Sequence, residues 1–298
     1  MAPRGRSRSR RPRRVIAAGA LAFAGVALAI PSGAAGWTSP PAGAYFQYQL
    51  QPSSTIERAS GGIATTTCSR PVGGATCVRP SVFDIDLYGP DGVTPNSAGV
   101  RAVRRRGGYT ICYVDAGTWE RWRPDAAAFP RGLLGRSNGW PGERWLDIRH
   151  RSTLLALMSR RVAKCAAAGF EAVEFDNVDG YSNRTGFPLT ASDQLAYDRG
   201  LAALAHRDGL AAGLKNDYAQ VAALAPSFDF AIDEQCLRYE ECELLGPFVR
   251  SKKAVYDVEY GPVSGARCAS ARRLGVTVIS KTLALLAQPW RPCPTGGR

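Results

Sequence analysis

Histidine is scarce in this sequence of 298 residues, with only two present, His150 and His206. Because no His-Glu-x-x-His or Cys-x-x-Cys spacing accompanies them, the chain lacks the usual ligand sets of a zinc site. No predicted strand leads into a Gly-x-Ser-x-Gly elbow, which argues against a serine nucleophile. We therefore predict neither a metal nor a cofactor. An all-oxygen Ca²⁺ or Mg²⁺ site stays open, although no loop signature supports it.

Acidic residues are also few, since 25 Asp and Glu stand against 38 Lys and Arg and give a formal net charge of +13. Seven of the arginines, however, lie within the first fourteen residues, before an apolar run from Val15 to Ile30. Small residues from Ser32 to Ala35 follow, and this layout is typical of a signal peptide. Removing seven charges from +13 leaves +6. So small an excess of positive charge argues against a nucleic-acid partner.

The chain is therefore predicted to comprise a signal peptide over 1–36 and one domain over 37–298. A retained membrane anchor is the alternative, although about sixteen apolar residues fall short of a full span. After cleavage we expect a secreted, extracellular monomer without stable membrane association. Sec and twin-arginine export both remain open, since Arg13-Arg14 precedes the apolar run.

Eight cysteines, all beyond the signal segment, indicate an oxidising compartment. Cys68 and Cys77 flank a turn, and Cys236 and Cys242 close a short loop, so each pair is an expected disulfide. The other four could pair or stay buried, and they are Cys112, Cys165, Cys268 and Cys293. One option among them, a bond from Cys268 to Cys293, would fix the chain's tail.

Eight β-rich runs recur along the domain, with helical patterns between several of them. The runs are 45–50, 82–88, 109–115, 172–178, 210–216, 228–233, 254–260 and 276–281, and the clearest helices are 152–168 and 193–207. This alternation predicts an α/β fold, a single-domain (β/α)8 TIM barrel with an irregular first connection and a reduced last helix. A Rossmann-like sheet is the alternative, but no Gly-x-Gly-x-x-Gly follows the first run.

Acidic residues recur at the ends of these predicted strands. Alternation predicts that the strand acids face the barrel lumen and their apolar neighbours face the helices. The inward set comprises Asp84, Asp86, Asp115, Glu174, Asp176, Lys215, Asp257 and Glu259. Barrels place active sites at these C-terminal strand ends. Paired carboxylates there suit glycoside hydrolysis.

Four tryptophans lie in the long segment after the third strand, and they are Trp119, Trp122, Trp140 and Trp145. They either stack on sugar rings or pack together as the core of that loop.

Several short blocks, found in one order along nearly the whole domain, resemble glycoside hydrolase family 114, which contains endo-α-1,4-polygalactosaminidases. The most specific are Glu174-Phe-Asp-Asn-Val-Asp-Gly-Tyr181 and Asp233-Glu-Gln-Cys236. Others are Gln49-Leu50, Asp84-Ile-Asp-Leu-Tyr88, Ile111-Cys-Tyr-Val-Asp-Ala-Gly117, Gly142-Glu-Arg-Trp-Leu-Asp-Ile148, Leu214-Lys-Asn216 and Val258-Glu-Tyr260. The chain departs from the family pattern at Glu174, where Asp is expected, and at Asp115, where a small polar residue is commoner.

The resemblance implies that Asp176 and Glu234 are the catalytic pair. By analogy with barrels that cleave α-galactosides, Asp176 is assigned as nucleophile and Glu234 as general acid/base of a retaining mechanism. Alternation supports Asp176 but places Glu234 on the apolar side of its strand, unless that strand ends or bulges at Ile232. Asp233 is therefore the second choice for the acid.

The expected substrate is an α-1,4-linked galactosamine-containing polysaccharide, cleaved internally, because an acidic lumen would hold its ammonium groups. The predicted substrate-binding residues are Asp84, Asp86, Asp115, Glu174, Asp179, Tyr181, Lys215, Asn216, Asp233 and Glu259. A non-catalytic barrel that binds an amino-sugar polymer is one alternative. A hydrolase of neutral α-galactosides is another, but it would leave the lumenal acids unexplained.

Overall fold

The computed structural model describes residues 36–55 and 60–295, so the predicted signal peptide lies almost wholly outside the described residues. The strands are β1 Phe46–Gln49, β2 Val82–Asp86, β3 Tyr109–Asp115, β4 Thr118–Glu120, β5 Glu143–Trp145, β6 Ala172–Asp176, β7 Ala211–Lys215, β8 Phe230–Glu234, β9 Ala254–Tyr260, β10 Thr277–Lys281 and β11 Arg291–Pro292. The α-helices are α1 Ser97–Arg104, α2 Arg151–Ala168, α3 Ala191–Arg207, α4 Val221–Leu224, α5 Cys236–Tyr239, α6 Gly246–Arg250 and α7 Gly265–Arg273. Short 3₁₀ turns join several of them.

One curled sheet carries the fold, in the order β1-β2-β3-β6-β7-β8-β9-β10-β11. Its first eight strands pair in parallel, and β11 returns antiparallel to β10. The predicted α/β barrel fold is confirmed. β4 and β5 form a separate antiparallel ribbon above β3, which the sequence analysis did not foresee.

The seam between β1 and β10 is held by side chains, since no backbone ladder joins these two strands within the described ranges. Lys281 donates to Gln47 Oε1 over 2.8 Å, and Gln47 donates to the Ala287 carbonyl over 3.0 Å. The Trp290 indole donates to the Phe46 carbonyl over 2.8 Å. Contacts from the tail thus take the place of a backbone ladder at this seam. The described residues after β10 contain no helix, in agreement with the predicted reduced last helix.

The two long predicted helices form where their sequences place them. In α2 the buried stripe contains Leu154, Met158 and Val162, and the helix ends at Gly169 with φ 91°, a conformation that glycine adopts without strain. α3 begins at a reciprocal capping box in which Thr190 and Asp193 satisfy each other's backbone N–H groups.

Every parallel strand is buried on both faces. The outer face packs against the helices through residues such as Phe83, Val173 and Leu214. The inner face fills the lower lumen with Phe46, Val82, Ile111, Ala172, Phe230, Ile232, Tyr256 and Ile279. Because a fully buried aliphatic or aromatic side chain contributes about 1.5–3 kcal/mol, both layers stabilise the barrel. Only the upper lumen, at the C-terminal strand ends, is polar.

Four disulfides lie in the described chain. The two expected pairs, Cys68–Cys77 and Cys236–Cys242, are both present. Cys112–Cys165 joins β3 to α2, and Cys268–Cys293 ties the tail to α7. Among the described helices, none combines the length and the apolar character needed to cross a membrane.

Candidate active site

Lys215, at the end of β7, occupies the centre of the upper lumen between carboxylates from the two neighbouring strands. Its Nζ lies 3.0 Å from Asp176 Oδ1 on β6 and 3.7 Å from Glu234 Oε2 on β8. The side chain of Lys215 is 2% exposed, whereas those of Asp176 and Glu234 are 17% and 28% exposed. The lysine is therefore buried beneath two acids that face an open cleft.

Asp176 is held as a carboxylate by four hydrogen bonds. Tyr113 Oη donates to Oδ2 over 2.6 Å, and the Asn177 N–H and Lys215 Nζ donate to Oδ1 over 2.8 and 3.0 Å. Asn177 Nδ2 adds a longer bond of 3.5 Å. Burial alone would raise the pKa of Asp176, but the Lys215 charge and these donors outweigh it and lower the pKa below its ordinary value.

Glu234 faces the same cleft from β8. Its Oε1 accepts a short hydrogen bond from the Tyr260 hydroxyl, and its backbone N–H donates to Asn216 Oδ1 over 3.0 Å. The expectation that alternation places Glu234 on the helix side was wrong, because Phe230 and Ile232 also point into the lumen. No bulge is needed to bring Glu234 inward.

A second layer of polar groups supports the pair from below. Glu174 Oε1 accepts from Tyr48 Oη over 3.1 Å and lies 3.2 Å from Lys215 Nζ. Burial, opposed by Lys215, raises the pKa of Glu174 to about 7. Burial and the neighbouring Glu174 raise the pKa of Asp84 well above its ordinary value. Both carboxyl oxygens of Asp84 are buried without a hydrogen-bond partner in the described part of the chain. Burial therefore disfavours negative charge on both acids of this layer.

The cleft above the pair is rich in acids. Asp86, Glu120 and Glu143 line its wall in addition to Asp176 and Glu234, and Arg123 is the one basic residue in this wall within the part of the chain that the structure describes. Arg123 binds Asp86 over 2.8 Å and Glu120 over 2.6 Å. Glu120 and Glu143 belong to the β4–β5 ribbon, so alternation along the barrel strands could not identify them, although Glu143 falls in a block that resembles the family.

Exposed apolar groups form the rim of the cleft. Trp122 and Trp140 line it and are each 52% exposed. Leu283 and Leu285 lie on the rim formed by the tail. The other two tryptophans of the predicted segment pack into the loop itself, since Trp145 is buried and Trp119 Nε1 donates to the Ala126 carbonyl.

The predicted binding residues fall into three groups. Asp86 and Asn216 line the cleft, and Asp179, Tyr181 and Asn216 line an adjoining cavity. Buried outside the cleft wall are Asp84, Asp115, Glu174, Lys215, Asp233 and Glu259.

Two inward assignments on β9 were wrong. Glu259 Oε1 accepts from the N–H groups of Leu237 and Arg238 at the start of α5, over 2.8 and 3.1 Å. Asp257 Oδ1 accepts from the Cys236 N–H over 2.9 Å. Both acids lie on the outer side of β9, because Tyr256 and Val258 fill the lumen. Asp233, the second choice for the acid, is likewise on the outer side of β8.

Left-handed backbone follows each of the three central strands. Asn177, Asn216 and Gln235 have φ values of 59°, 48° and 64°, directly after Asp176, Lys215 and Glu234. Asn tolerates this conformation better than most residues do. The sharp turns let the Asn177 N–H donate to Asp176 Oδ1 and let Asn216 Oδ1 accept from the Glu234 N–H.

Oxygens of Asp115, Glu120 and Glu143 come within 4.8 Å of one another, a spacing that could hold a cation. Each already has partners, however. Asp115 accepts from Thr118 and Asn177, and Arg123 neutralises Glu120 over 2.6 Å. Asp115 and Glu120 thus have donors of their own, and Glu143 accepts from Asn138 through Oε2 over 2.6 Å. A metal-free site stays a prediction.

The chain does contain one Gly-x-Ser-x-Gly string, at 135–139. It lies in the loop before β5, and Ser137 is exposed there and accepts from the Gly139 N–H. It follows no strand of the barrel, so it is not a nucleophile elbow.

Comparison with known proteins agrees with this geometry. The crystal structure of Aspergillus fumigatus Ega3 in complex with galactosamine is similar with a TM-score of 0.70 and 25% sequence identity, over 87% of this chain and 98% of that one. The glycoside hydrolase domain of PelA from Pseudomonas aeruginosa has a TM-score of 0.54 at 14% identity, over 83% of this chain and 96% of that one, and shows the shared fold. No curated protein sequence matches the chain significantly.

The model of glycoside-hydrolase family GH114 matches residues 27–297. This span covers the whole barrel, including the strands that carry Asp176 and Glu234. The chain therefore belongs to family GH114 and is a glycoside hydrolase.

Proposed function

We propose that this protein is a secreted, endo-acting and retaining hydrolase of α-1,4-linked galactosamine polysaccharide. The observation that carries the proposal is the Asp176–Lys215–Glu234 arrangement at the floor of an acidic cleft edged by tryptophans. The similar Ega3 structure was obtained with galactosamine, which supports this sugar as the substrate unit. The four disulfides support an oxidising, extracellular location.

In this mechanism Asp176 attacks the anomeric carbon while Glu234 gives its proton to the departing glycosidic oxygen. Water then releases the glycosyl-enzyme intermediate, with Glu234 as the base that accepts its proton. Two oxygens that lie 3.0 and 3.7 Å from one nitrogen are at most about 7 Å apart. This limit favours retention, which uses a separation of about 5–5.5 Å, over the wider range of inverting enzymes.

The charge balance of the cleft supports an amino sugar. Over residues 36–55 and 60–295, five acids line it against one arginine, and Arg123 is already paired with Asp86 and Glu120. Glu143 is half-buried and uses only Oε2 in its bonds to Asn138 and Thr118, which leaves Oε1 for a ligand. A protonated 2-amino group would be held there by charge-assisted hydrogen bonds. A neutral galactoside offers no counter-charge for these acids.

The decisive experiment incubates the purified protein with α-1,4-galactosamine polymer and with its fully N-acetylated form, followed by mass spectrometry of the products. The deacetylated polymer should yield oligosaccharides of several lengths, as internal cleavage requires. Asp176→Asn and Glu234→Gln should each lower turnover by at least about 10³-fold while polymer binding persists. Asp208→Asn, which removes one carboxylate at the opposite end of the barrel, is the matched control.

Nuclear magnetic resonance of the first-formed product tests the stereochemistry. Retention requires that the α-anomer appears first and then mutarotates. An initial β-anomer would show inversion and remove Asp176 from the role of nucleophile. Near-full turnover by a folded Asp176→Asn variant would have the same consequence.

A further inference from the structure

A second cavity adjoins the cleft and shares Glu234 and Asn216 with it. We call it the side cavity, and its wall also includes Asp179, Tyr181, Asp217, Tyr239 and Glu241. The cleft contacts both members of the catalytic pair, whereas the side cavity reaches Glu234 without Asp176. A general acid protonates the oxygen that leaves, so the departing sugar lies beside it and away from the nucleophile. Of the two cavities, the side cavity is the one lined by Glu234 and not by Asp176, as this place requires.

The wall of the side cavity is acidic and aromatic. Among the described residues that line it, four are acids, three are tyrosines, and none is a lysine, arginine or histidine. Tyr239 is 60% exposed, so its ring is open to a ligand. Carboxylates beside tyrosine faces are a combination that attracts ammonium groups.

Two residues of this wall, Asp217 and Tyr218, have a buried side-chain oxygen without a hydrogen-bond partner in the described part of the chain, and Asp217 is the acidic one. Asp217 is 4% exposed, and its Oδ1 accepts from Tyr181 Oη over 3.2 Å. Its Oδ2 has no hydrogen-bond partner within the described part of the chain. Burial first, and then the nearby Asp179, raise the pKa of Asp217 to about 7. Burial makes the ionised form of this carboxyl unfavourable, and a positively charged ligand nearby would stabilise it.

The loop that presents Tyr239 and Glu241 is firmly held. Both residues lie inside the ring closed by the Cys236–Cys242 disulfide. Glu259 caps the N–H groups of α5 from below, over 2.8 and 3.1 Å. The wall is therefore built before a ligand arrives, which lowers the entropy lost on binding.

Resting on the proposed function, we propose that the side cavity is the binding site of the leaving sugar and that it takes a protonated hexosamine. Asp217 then distinguishes a free amine from an N-acetyl group, because only the ammonium supplies the missing positive charge. Productive cleavage thus needs two adjacent free amino sugars, one in the cleft and one in the side cavity.

The test uses α-1,4-galactosamine polymer that is partly N-acetylated at random. The sugar in the side cavity becomes the new non-reducing end, so end-group analysis by mass spectrometry reads its identity. Wild-type protein should produce free galactosamine at these ends well above its share in the polymer. Asp217→Asn should remove that excess and lower kcat/KM on deacetylated oligomers by roughly 10-fold or more, the effect of losing a charge-assisted hydrogen bond.

A left-handed φ of 45° at residue 217 suits asparagine, so Asp217→Asn is expected to fold. Glu241→Gln provides a second variant and should shift the ends in the same direction, while Asp208→Asn should leave them unchanged. An unchanged end-group composition in both side-cavity variants would overturn this inference and leave the proposed function standing. A wild-type protein that cleaves no galactosamine polymer would overturn both.

Discussion

Lys215 and Asp176 form a buried ion pair of 3.0 Å across the neighbouring strands β7 and β6. Lys215 is also bonded to Tyr48 over 3.2 Å, which in turn donates to Glu174. The charge of Lys215 therefore lowers the pKa values of both Asp176 and Glu174 relative to burial alone. The pair acts as the electrostatic centre of the site, and removal of the lysine has consequences that can be measured.

Lys215→Met keeps the length of the side chain and removes its charge. Without Lys215, burial dominates and the pKa of Asp176 rises. Because Asp176, the proposed nucleophile, must be ionised to attack, activity should fall as pH drops through this pKa. The acidic limb of the kcat/KM profile should therefore move to higher pH by at least about one unit. Lys253→Met, on the outside of the barrel, is the control and should leave the profile unchanged. If the acidic limb of Lys215→Met did not move, the role of Lys215 would be contradicted.

Trp122→Ala and Trp140→Ala test the rim of the cleft. Stacking on a sugar face contributes about 1 kcal/mol, so each substitution should raise KM for the polymer roughly 5- to 10-fold with little change in kcat. Trp37→Ala is the matched control, because Trp37 is 40% exposed but stacks on His206 instead. Equal effects of all three substitutions would show that the rim has no special role.

Replacing Cys236 and Cys242 together by serine should loosen the loop that carries Tyr239 and Glu241. We expect a larger loss of kcat/KM on galactosamine oligomers than on an aryl α-glycoside of the same sugars, whose leaving group has no amine. The double serine variant of Cys68 and Cys77, in the distant first connection, should show no such difference. Equal losses on both substrates would contradict the expected role of the loop.

Asp217→Asn should also change the dependence of stability on pH. The pKa of Asp217 is about 7 in the folded protein against an ordinary 3.8. Ionisation in the unfolded chain therefore favours unfolding from about pH 4 upward, and the penalty stops growing above about pH 7. The amide carries no such penalty. Calorimetry should show the melting temperature of the variant, relative to wild type, rising between pH 4 and 7 and then staying level, whereas a constant difference would refute the buried acid.

Sequence alternation identified the inward acids of β2 and β6 because their neighbours on the outer face are all apolar. It failed on β8 and β9, where Ile232, Tyr256 and Val258 fill the lower lumen with apolar groups. Strands of a parallel barrel are buried on both faces, so an apolar residue does not reveal which face it occupies. Lys215 beside Asp176 could be predicted, but the inward position of Glu234 could not be derived from alternation.

The residues that sequence reasoning missed lie outside the barrel strands. Glu120 and Glu143 reach the cleft on the β4–β5 ribbon, whose position depends on the fold of the long loop after β3. Gly117 marks this loop, since a Cβ there would meet the Asn177 carbonyl oxygen at 1.6 Å. Such close approach of two loops depends on the tertiary structure, so local sequence patterns do not predict it.

Because side chains close the seam between β1 and β10, the residues that shape the cleft at this seam take no part in strand pairing. Leu283 and Leu285, which line the cleft, belong to the segment between the Lys281 and Trp290 anchors and to no strand. The Leu285 carbonyl accepts from the Gln51 N–H over 3.3 Å, which fixes one end of this part of the rim. Side chains at 283 and 284 can therefore be exchanged to change the width of the cleft without altering the pairing of any strand.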